Sequence, residues 1–260
     1  MNIAVLIKQV PDTETKASLT DSGLDSSNIK MILNPYDEFA IEEALIQKGK
    51  LSAEVTCITL GNQKSTDVLR TALAMGCDKA AHINVEDSNL PKVDTYLSSK
   101  ACSELLKKSG PFDLILCGKQ AIDGDSMAFP QMVAKFLEIP RVTVVSKLEI
   151  KPDTKEVLAE RSIDGGATEK ITTSLPCLIS ANKGLNKPRY ASLPGIMKAK
   201  KKTIESHSLD DLGINIADQK VEYISFELPE QKTQGKILTG TTEEVADQLV
   251  KALRDEAKVI

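Results

Sequence analysis

Short apolar runs alternate with amphipathic segments along the first 140 residues of the chain. The runs at 3–7, 54–60, 79–85 and 112–117 have the length and apolar content of buried strands. Between them, apolar residues at helical spacing predict helices from Pro35 to about Lys48 and over 66–75, 94–108 and 127–137. Strands that alternate with helices in this way form βαβ units, so the pattern predicts a doubly wound α/β domain with a parallel sheet.

The first predicted helix has a well-marked start, which follows the short apolar run at 31–33. Asn34 is a favoured N-cap residue, Pro35 suits the first helical position, and Asp37 and Glu38 place two acids in the first turn. The residues expected to face the core are Phe39, Ile41, Ala44 and Leu45.

The pattern changes after residue 141. Segments 142–150 and 156–163 alternate in polarity around a Pro152-Asp153 turn, which predicts an antiparallel hairpin, and 167–173 and 175–181 continue as strands. The predicted fold class is therefore α/β, with a doubly wound, mostly parallel sheet and added antiparallel strands. Segment 208–212 is expected to form a short capped turn or helix, 221–228 a strand, and 241–257 a helix.

The last third of the chain is predicted to be an extension of the domain. We expect a nucleotide-binding α/β domain at 1–185, followed at 186–260 by a loop and a C-terminal arm. An arm with so few elements cannot bury a core of its own, so it wraps either its own domain or another subunit.

Segment 182–202 is interrupted by glycines and prolines and is predicted to be a loop. Its apolar residues follow no regular period, and several lysines come directly after them. Two interpretations remain open: the apolar side chains pack on their own domain, or they are offered to a partner.

The strand at 112–117 ends at Gly118, and the turn that follows leads into the helix that begins at Met127. A strand, a glycine turn and a helix N-terminus together can bind an anion through free N–H groups and the helix dipole. A purely structural connection has the same pattern, so the turn is a candidate site only.

Composition and charge exclude several classes of function. The 260 residues carry a net charge of −4, contain 3% aromatic residues and lack tryptophan, which argues against nucleic-acid binding. No apolar run approaches the roughly 20 residues of a membrane span. The strand at 3–7 leaves no room for a targeting peptide, so we expect a cytoplasmic protein without membrane insertion.

The sequence lacks the common markers of catalytic and nucleotide-binding sites. The five cysteines and two histidines have no metal-ligand spacing, so we expect reduced core thiols, no metal site and no catalytic residue. Neither Gly-Xaa-Gly-Xaa-Xaa-Gly after the first strand nor a Gly-Lys-Ser/Thr phosphate loop is present.

Four segments nevertheless carry a specific resemblance. They are 33–44 (LNPYDEFAIEEA), 70–76 (RTALAMG), 118–125 (GKQAIDGD) and 186–202 (NKPRYASLPGIMKAKKK). Residues 161–166 (RSIDGG), continuing through Glu169 and Pro176, add to it and depart from the usual pattern at Ser180. Over essentially its whole length, the chain resembles the β subunits of electron transfer flavoproteins.

The resemblance implies an electron carrier rather than an enzyme. Its αβ heterodimer would hold FAD mainly in the α subunit, against which the arm at 186–260 would pack. It would accept electrons from acyl-CoA dehydrogenases and related flavin dehydrogenases of fatty acid oxidation and pass them to a membrane quinone oxidoreductase. In the common branch, the β subunit also binds one AMP with a structural role.

The resemblance also assigns binding residues. The adenine slot and its surroundings would comprise Leu6, Asn34, Pro35, Tyr36, Asp37 and Leu60. The phosphate cradle would comprise Gly118, Lys119, Gln120, Ala121, Ile122, Asp123, Gly124, Asp125, Ser126, Met127, Ala128 and Phe129. Because the carboxylates of Asp123 and Asp125 would repel a phosphate, we expect them to cap the turn or to contact the ribose or a neighbouring backbone.

The segment at 182–202 resembles the family's recognition loop, in which Leu193 would insert into an apolar pocket of the dehydrogenase. Burying one leucine contributes roughly 1.5–3 kcal/mol, which suits a transient encounter. The lysines would steer acidic partner surfaces. The partner-binding residues implied are Tyr190, Leu193, Pro194, Ile196, Met197, Lys198, Lys200, Lys201 and Lys202.

Three alternatives remain. An electron-bifurcating branch of the family binds a second FAD in place of AMP, and the turn Asp123-Gly124-Asp125-Ser126 is compatible with it, although the recognition loop favours AMP. A stand-alone adenine-nucleotide-binding module shares the core but would not explain the arm. An adenylating enzyme would need a Ser/Gly-rich loop after the first strand, where this chain has Lys8-Gln9-Val10-Pro11-Asp12.

Overall fold

A computed structural model describes residues 1–16, 18–20, 23–25, 29–230 and 235–260. The strands are β1 (Asn2–Leu6), β2 (Gln9–Pro11), β3 (Leu19–Thr20), β4 (Gly23–Leu24), β5 (Met31–Leu33), β6 (Glu54–Gly61), β7 (Lys79–Asn84), β8 (Leu114–Gly118), β9 (Arg141–Lys151), β10 (Glu156–Ser162), β11 (Thr168–Ser174), β12 (Cys177–Ala181) and β13 (Glu205–Ser208). The helices are α1 (Pro35–Leu51), α2 (Thr66–Met75), α3 (Thr95–Ser109), α4 (Ala128–Leu137), α5 (Leu193–Lys201) and α6 (Thr242–Lys251).

The main sheet has nine strands in the order β11-β10-β9-β12-β8-β1-β6-β7-β13. From β9 across to β13 neighbouring strands are parallel, whereas β9, β10 and β11 form an antiparallel meander at one edge. The α/β prediction is confirmed, as is the hairpin across Pro152-Asp153. The expectation that the strand ending at Ala181 is antiparallel is wrong, because β12 lies parallel between β8 and β9.

Helices cover both faces of this sheet. Side chains of β1 alternate between the two layers: Ile3 and Val5 pack with α1 and α2, while Ala4 and Leu6 pack with α3 and α4. This alternation follows from the period of two in a strand, and it makes β1 apolar on both faces, as a central parallel strand must be.

Two sequence predictions need correction, and one strand was not predicted. Segment 182–202 is not a loop throughout, because α5 forms within it and the Ser192 hydroxyl accepts a hydrogen bond from the N–H group of Gly195 at its start. No strand is assigned at 221–228. Conversely, the four polar residues of β13 pair with β7 at the sheet edge, although their sequence gave no strand signal.

Asp94 links the start of α3 to the segment that follows β13. One carboxylate oxygen accepts from the N–H group of Leu97 at 2.8 Å and so caps α3, as the start predicted at residue 94 requires. Its other oxygen accepts from the N–H groups of Lys220 and Val221, at 2.6 and 2.9 Å. The segment after residue 218 is therefore tied to the helix start by a buried carboxylate.

The chain divides into two compact units, 1–225 and 226–260. In the second unit, α6 begins with a reciprocal capping box between Thr241 and Glu244 and continues into a π-helical turn, Ala252–Glu256. This confirms the helix predicted at 241–257. None of the residues described in the second unit is buried. Among the described helices of the chain, none is long and apolar enough to cross a membrane.

Candidate functional site

The strand order reverses beside β1. The chain passes from β1 to β6 and β7 on one side, and only later adds β8 and β12 on the other. In open parallel sheets, ligands bind outside the carboxyl ends of the strands at such a switch point. Here Lys8 follows β1, Gly118 ends β8, and the N-terminus of α1 lies against both.

Asp37 holds these three elements together. Its Oδ2 accepts from the N–H group of Lys8 at 2.7 Å, and its Oδ1 accepts from the N–H group of Gly118 at 2.8 Å. The residue is only 4% exposed. Burial raises the pKa of Asp37 to about 7, although both N–H groups favour the ionised form. Asp37, expected near the adenine slot, is thus a structural link between β1, β8 and α1.

Gly118 is required by this close approach. A Cβ atom at this position would lie 2.7 Å from Cβ of Tyr36 and 2.8 Å from its carbonyl carbon, and it would collide with the Asp37 carboxylate. The glycine therefore allows α1 to reach the end of β8, in addition to any space that it leaves for a ligand.

Asn34 departs from its predicted role. Its side chain does not cap α1. Instead, Nδ2 donates to the carbonyl of Gln120 at 2.9 Å, and Oδ1 accepts from the N–H group of Ile122 at 3.3 Å. Asn34 is buried and fixes the turn after β8 to the start of α1, more than 80 residues away in sequence.

Several N–H groups of that turn already have acceptors. The N–H groups of Lys119 and Asp125 bond to the carbonyls of Ala181 and Ala121, each at 2.9 Å, and those of Gly118 and Ile122 are taken by side chains. The first turn of α4 offers further donors for an anion, since the first N–H groups of a helix have no preceding carbonyls to bond. Within the predicted cradle, Ala128 and Phe129 begin that turn.

The two acids of the turn bond to side chains at the same edge rather than capping the turn or contacting a neighbouring backbone. Asp123 pairs with the Lys8 ammonium at 2.6 Å, and Asp125 accepts from the Gln120 amide at 2.5 Å. The Lys119 ammonium lies over the Tyr36 ring at 4.9 Å from its centroid, which adds a cation–π contact at the same edge. Lys8, which the sequence analysis did not select, is therefore part of the site.

Two non-glycine residues of the turn have left-handed backbone conformations. Asp125 has φ 48° and Met127, at the start of α4, has φ 53°. Such conformations cost free energy and occur preferentially at binding sites, where the surrounding structure holds them. They add to the case that the turn has a function.

The remaining predicted slot residues lie around this edge at different depths. Pro35 and Tyr36 are half-buried at the start of α1, and Leu60 is half-buried near the end of β6. Leu6 is buried within the core on the α3 side. It therefore supports the floor of the crevice and does not line its surface.

The predicted partner-binding residues lie on and just before α5. Tyr190 is 97% exposed and Leu193 is 73% exposed, and Ile196 and Met197 are also exposed. Pro194, Lys198, Lys200 and Lys201 are exposed on the same helix. The remaining member of the set needs correction: the Lys202 ammonium is directed into its own chain, where it donates to the carbonyls of Cys77 and Asp78 at 2.7 and 3.0 Å.

The cysteines and His82 belong to the core. All five cysteines are buried free thiols, as expected, and burial raises the pKa of Cys102 to about 12. His82 contacts the Ser65 hydroxyl at 3.0 Å and the Gly61 carbonyl at 3.1 Å. Burial lowers the pKa of His82, which favours the neutral ring.

Asp37 gives a stability prediction with a definite pH dependence. In Asp37→Asn, one of the two N–H donors loses its acceptor, which we expect to lower the free energy of unfolding by about 1–3 kcal/mol near pH 5. Because the pKa of Asp37 is raised in the folded state, its protonation stabilises the folded wild type. This contribution is fully present below the pKa of Asp37 in the unfolded chain and is lost as pH rises through about 7. The difference in the free energy of unfolding between wild type and Asp37→Asn should therefore become smaller from pH 5 to pH 8.

Thermal unfolding of the two proteins across this pH range measures the gap. Asp153→Asn, at an exposed acid in the β9–β10 turn, is the matched control. Parallel pH curves for wild type and Asp37→Asn would show that Asp37 does not titrate in this range.

Comparisons with known proteins identify a family whose members resemble this chain over most of its length. Residues 23–212 match the family model described as the electron transfer flavoprotein domain. A Bacillus subtilis protein named electron transfer flavoprotein subunit beta is 46% identical, with 100% of both chains covered. Proteins of that name from Thermoanaerobacterium thermosaccharolyticum and Homo sapiens are each 37% identical, covering 97% and 96% of this chain and 98% and 96% of their own lengths.

Proposed function

The chain belongs to the electron transfer flavoprotein family, and we propose that it is the β subunit of an αβ electron carrier. A relative that matches its whole length is named as such a β subunit, which supports the proposal. The α subunit would hold most of the FAD, which supplies the electron-accepting group. Electrons would come from acyl-CoA dehydrogenases and related flavin dehydrogenases of fatty acid oxidation and leave to a membrane quinone oxidoreductase. We place this exchange in the cytoplasm.

We propose that the crevice at the switch point holds one AMP. The observation that carries this proposal is the junction of Asp37, Gly118 and Asn34, which fixes the start of α1 against the end of β8 and the turn before α4. The adenine would lie near Tyr36 and Leu60. The phosphate would accept from the first turn of α4, since the first N–H groups of a helix have no acceptor within the helix.

A dehydrogenase would dock on α5 and the residues before it. Exposed side chains of this size are unusual so close together on a protein surface, and they mark an interaction site. Leu193 would be the anchor, with Tyr190, Ile196 and Met197 around it. Lys198, Lys200 and Lys201 would attract an acidic partner surface over distance.

The C-terminal arm would pack on the α subunit. In the first unit, Val221 and Ile224 are exposed. In the second unit, exposed apolar residues include Phe226, Leu228, Ile237 and Leu249. The described residues of the second unit expose much apolar surface and include no buried residue, which supports stabilisation of this segment by another chain.

The nucleotide content of the assembled protein tests the proposal. The chain is co-expressed with the α subunit from the same genome, and the purified complex is denatured and its nucleotides quantified by chromatography. We expect one FAD and one AMP per heterodimer. Two FAD without AMP would replace the proposal with the electron-bifurcating type, and a chain that forms no complex and binds no nucleotide would contradict it.

A further inference from the structure

The segment that leads into α5 is fixed to α1 by a buried carboxylate. Nε and Nη2 of Arg189 donate to the two carboxylate oxygens of Glu42, each at 2.7 Å, and the Arg189 N–H group donates to the same carboxylate at 3.1 Å. The Glu42 side chain is only 7% exposed. A two-pronged guanidinium–carboxylate contact of this kind fixes both position and orientation.

Asn186 adds a second attachment to the same helix. Its amide donates to the carbonyl of Phe39 at 3.0 Å and to Glu43 at 3.1 Å. The other carboxylate oxygen of Glu43 accepts from Gln47 at 2.7 Å. Two of the three buried acids of α1, Glu42 and Glu43, thus hold the segment before α5, although neither belongs to the predicted site.

The opposite end of α5 is fixed to α2. Nη1 of Arg70 donates to the carbonyls of Ala199 and Lys202, at 2.6 and 2.5 Å. These carbonyls lie at the helix C-terminus, where a positive charge is favourable, and the Ala199 carbonyl also accepts from the Lys202 N–H group at 3.2 Å. Between the two ends, Gly195 approaches so closely that an added Cβ would collide with the carbonyl of Ala74 on α2.

Packing alone does not explain why α5 is ordered. Within the helix only Ala199 is buried, while its larger apolar side chains are exposed. An isolated helix of nine residues is marginal in water, so the helix needs support from outside. Polar attachments at both ends provide that support and leave the apolar side chains free.

We propose that Glu42 with Arg189, and Arg70, are positioning residues for partner docking. Together they hold α5 in its binding conformation before the dehydrogenase arrives, so that docking does not have to order the segment. Preorganisation of this kind strengthens binding without adding contacts. The proposal rests on the proposed docking role of α5.

The test compares heterodimers that keep the docking side chains but lack one attachment. Glu42→Gln with Arg189→Gln removes the pair without leaving a buried unpaired charge, and Arg70→Gln removes the C-terminal donor. Lys79→Gln with Glu54→Gln removes an exposed ion pair of 2.7 Å elsewhere and is the matched control. Arg189→Lys keeps the charge but loses the two-pronged geometry.

Two quantities are measured on each heterodimer. The first is its reduction by a purified acyl-CoA dehydrogenase with acyl-CoA substrate, followed by flavin absorbance at varied heterodimer concentration. The second is backbone hydrogen exchange over 186–201. The attachment variants are the double variant Glu42→Gln with Arg189→Gln and the single variant Arg70→Gln. In both, we expect KM for the heterodimer to rise about tenfold while kcat stays within about twofold of wild type. Hydrogen exchange over 186–201 should become about tenfold faster. Arg189→Lys should lie between wild type and the double variant, and FAD and AMP contents should not change.

The outcomes distinguish the positioning role of these residues from the docking role of α5. Unchanged KM in the attachment variants would overturn the positioning role if Leu193→Ala still raises KM. If Leu193→Ala also leaves KM unchanged, the docking assignment itself fails and the positioning role with it. A loss of kcat and cofactor without a rise in KM would assign the attachments to general stability and overturn the proposal.

Discussion

Replacing Gly118 with alanine is expected to remove most of the bound nucleotide from the heterodimer. The single added carbon would meet the Asp37 carboxylate and, at 2.7 Å, Cβ of Tyr36, so α1 must move away from the end of β8. Crowding of this kind costs about 1–3 kcal/mol, or about 5- to 150-fold in affinity if it falls on the nucleotide-bound form. The Asp37 carboxylate would also lose its bond from the Gly118 N–H group.

The measurement is the AMP content per heterodimer, together with the thermal unfolding midpoint. Gly49→Ala is the matched control, because the same methyl group at that position has no atom within 4 Å. It should keep the nucleotide at the wild-type level. A Gly118→Ala protein with full AMP content would remove the end of β8 from the site.

Replacing Leu193 with alanine should weaken electron acceptance while FAD and AMP remain bound. The side chain is 73% exposed and contributes little to the fold of its own chain. If it is buried in a partner, its loss costs roughly 1.5–3 kcal/mol, which corresponds to about a 10- to 150-fold rise in KM for the heterodimer. Flavin reduction by an acyl-CoA dehydrogenase at varied heterodimer concentration gives this value.

Ile163→Ala provides the comparison for Leu193→Ala. Ile163 is also exposed, but it lies between β10 and β11, at the sheet edge opposite to β13. Its replacement should leave KM unchanged. Equal KM values for wild type and Leu193→Ala would exclude Leu193 as the docking anchor.

The parallel part of the sheet could be predicted because its strands are apolar on both faces. β1 and β8, for example, bury nearly every side chain, and the helices between such strands have strong local signals. β13 could not be found this way, since Glu205–Ser208 is polar and becomes a strand only by pairing with β7. Its stability comes from a tertiary contact that leaves no mark on its own sequence.

The candidate turn was recognisable from local chemistry, but the bonds that shape it were not. Asn34 has the sequence context of an N-cap, and that local preference is overridden by bonds to Gln120 and Ile122. The pairing of Arg189 with Glu42 spans 147 positions in sequence. Local patterns locate such residues in a helix or loop, but only the folded chain brings their polar groups together.

The place of β1 in the sheet has a consequence for synthesis on the ribosome. Its first neighbour, β6, follows within about 50 positions, but the bond between Asn2 and Asp113, beside the second neighbour β8, spans 111 positions. At translation rates of about 5–20 residues per second, one edge of the central strand stays open for roughly 5–20 s in the nascent chain. Throughout that interval, an apolar central strand has an unpaired edge that can pair wrongly, and a chaperone that shields strand edges would act here.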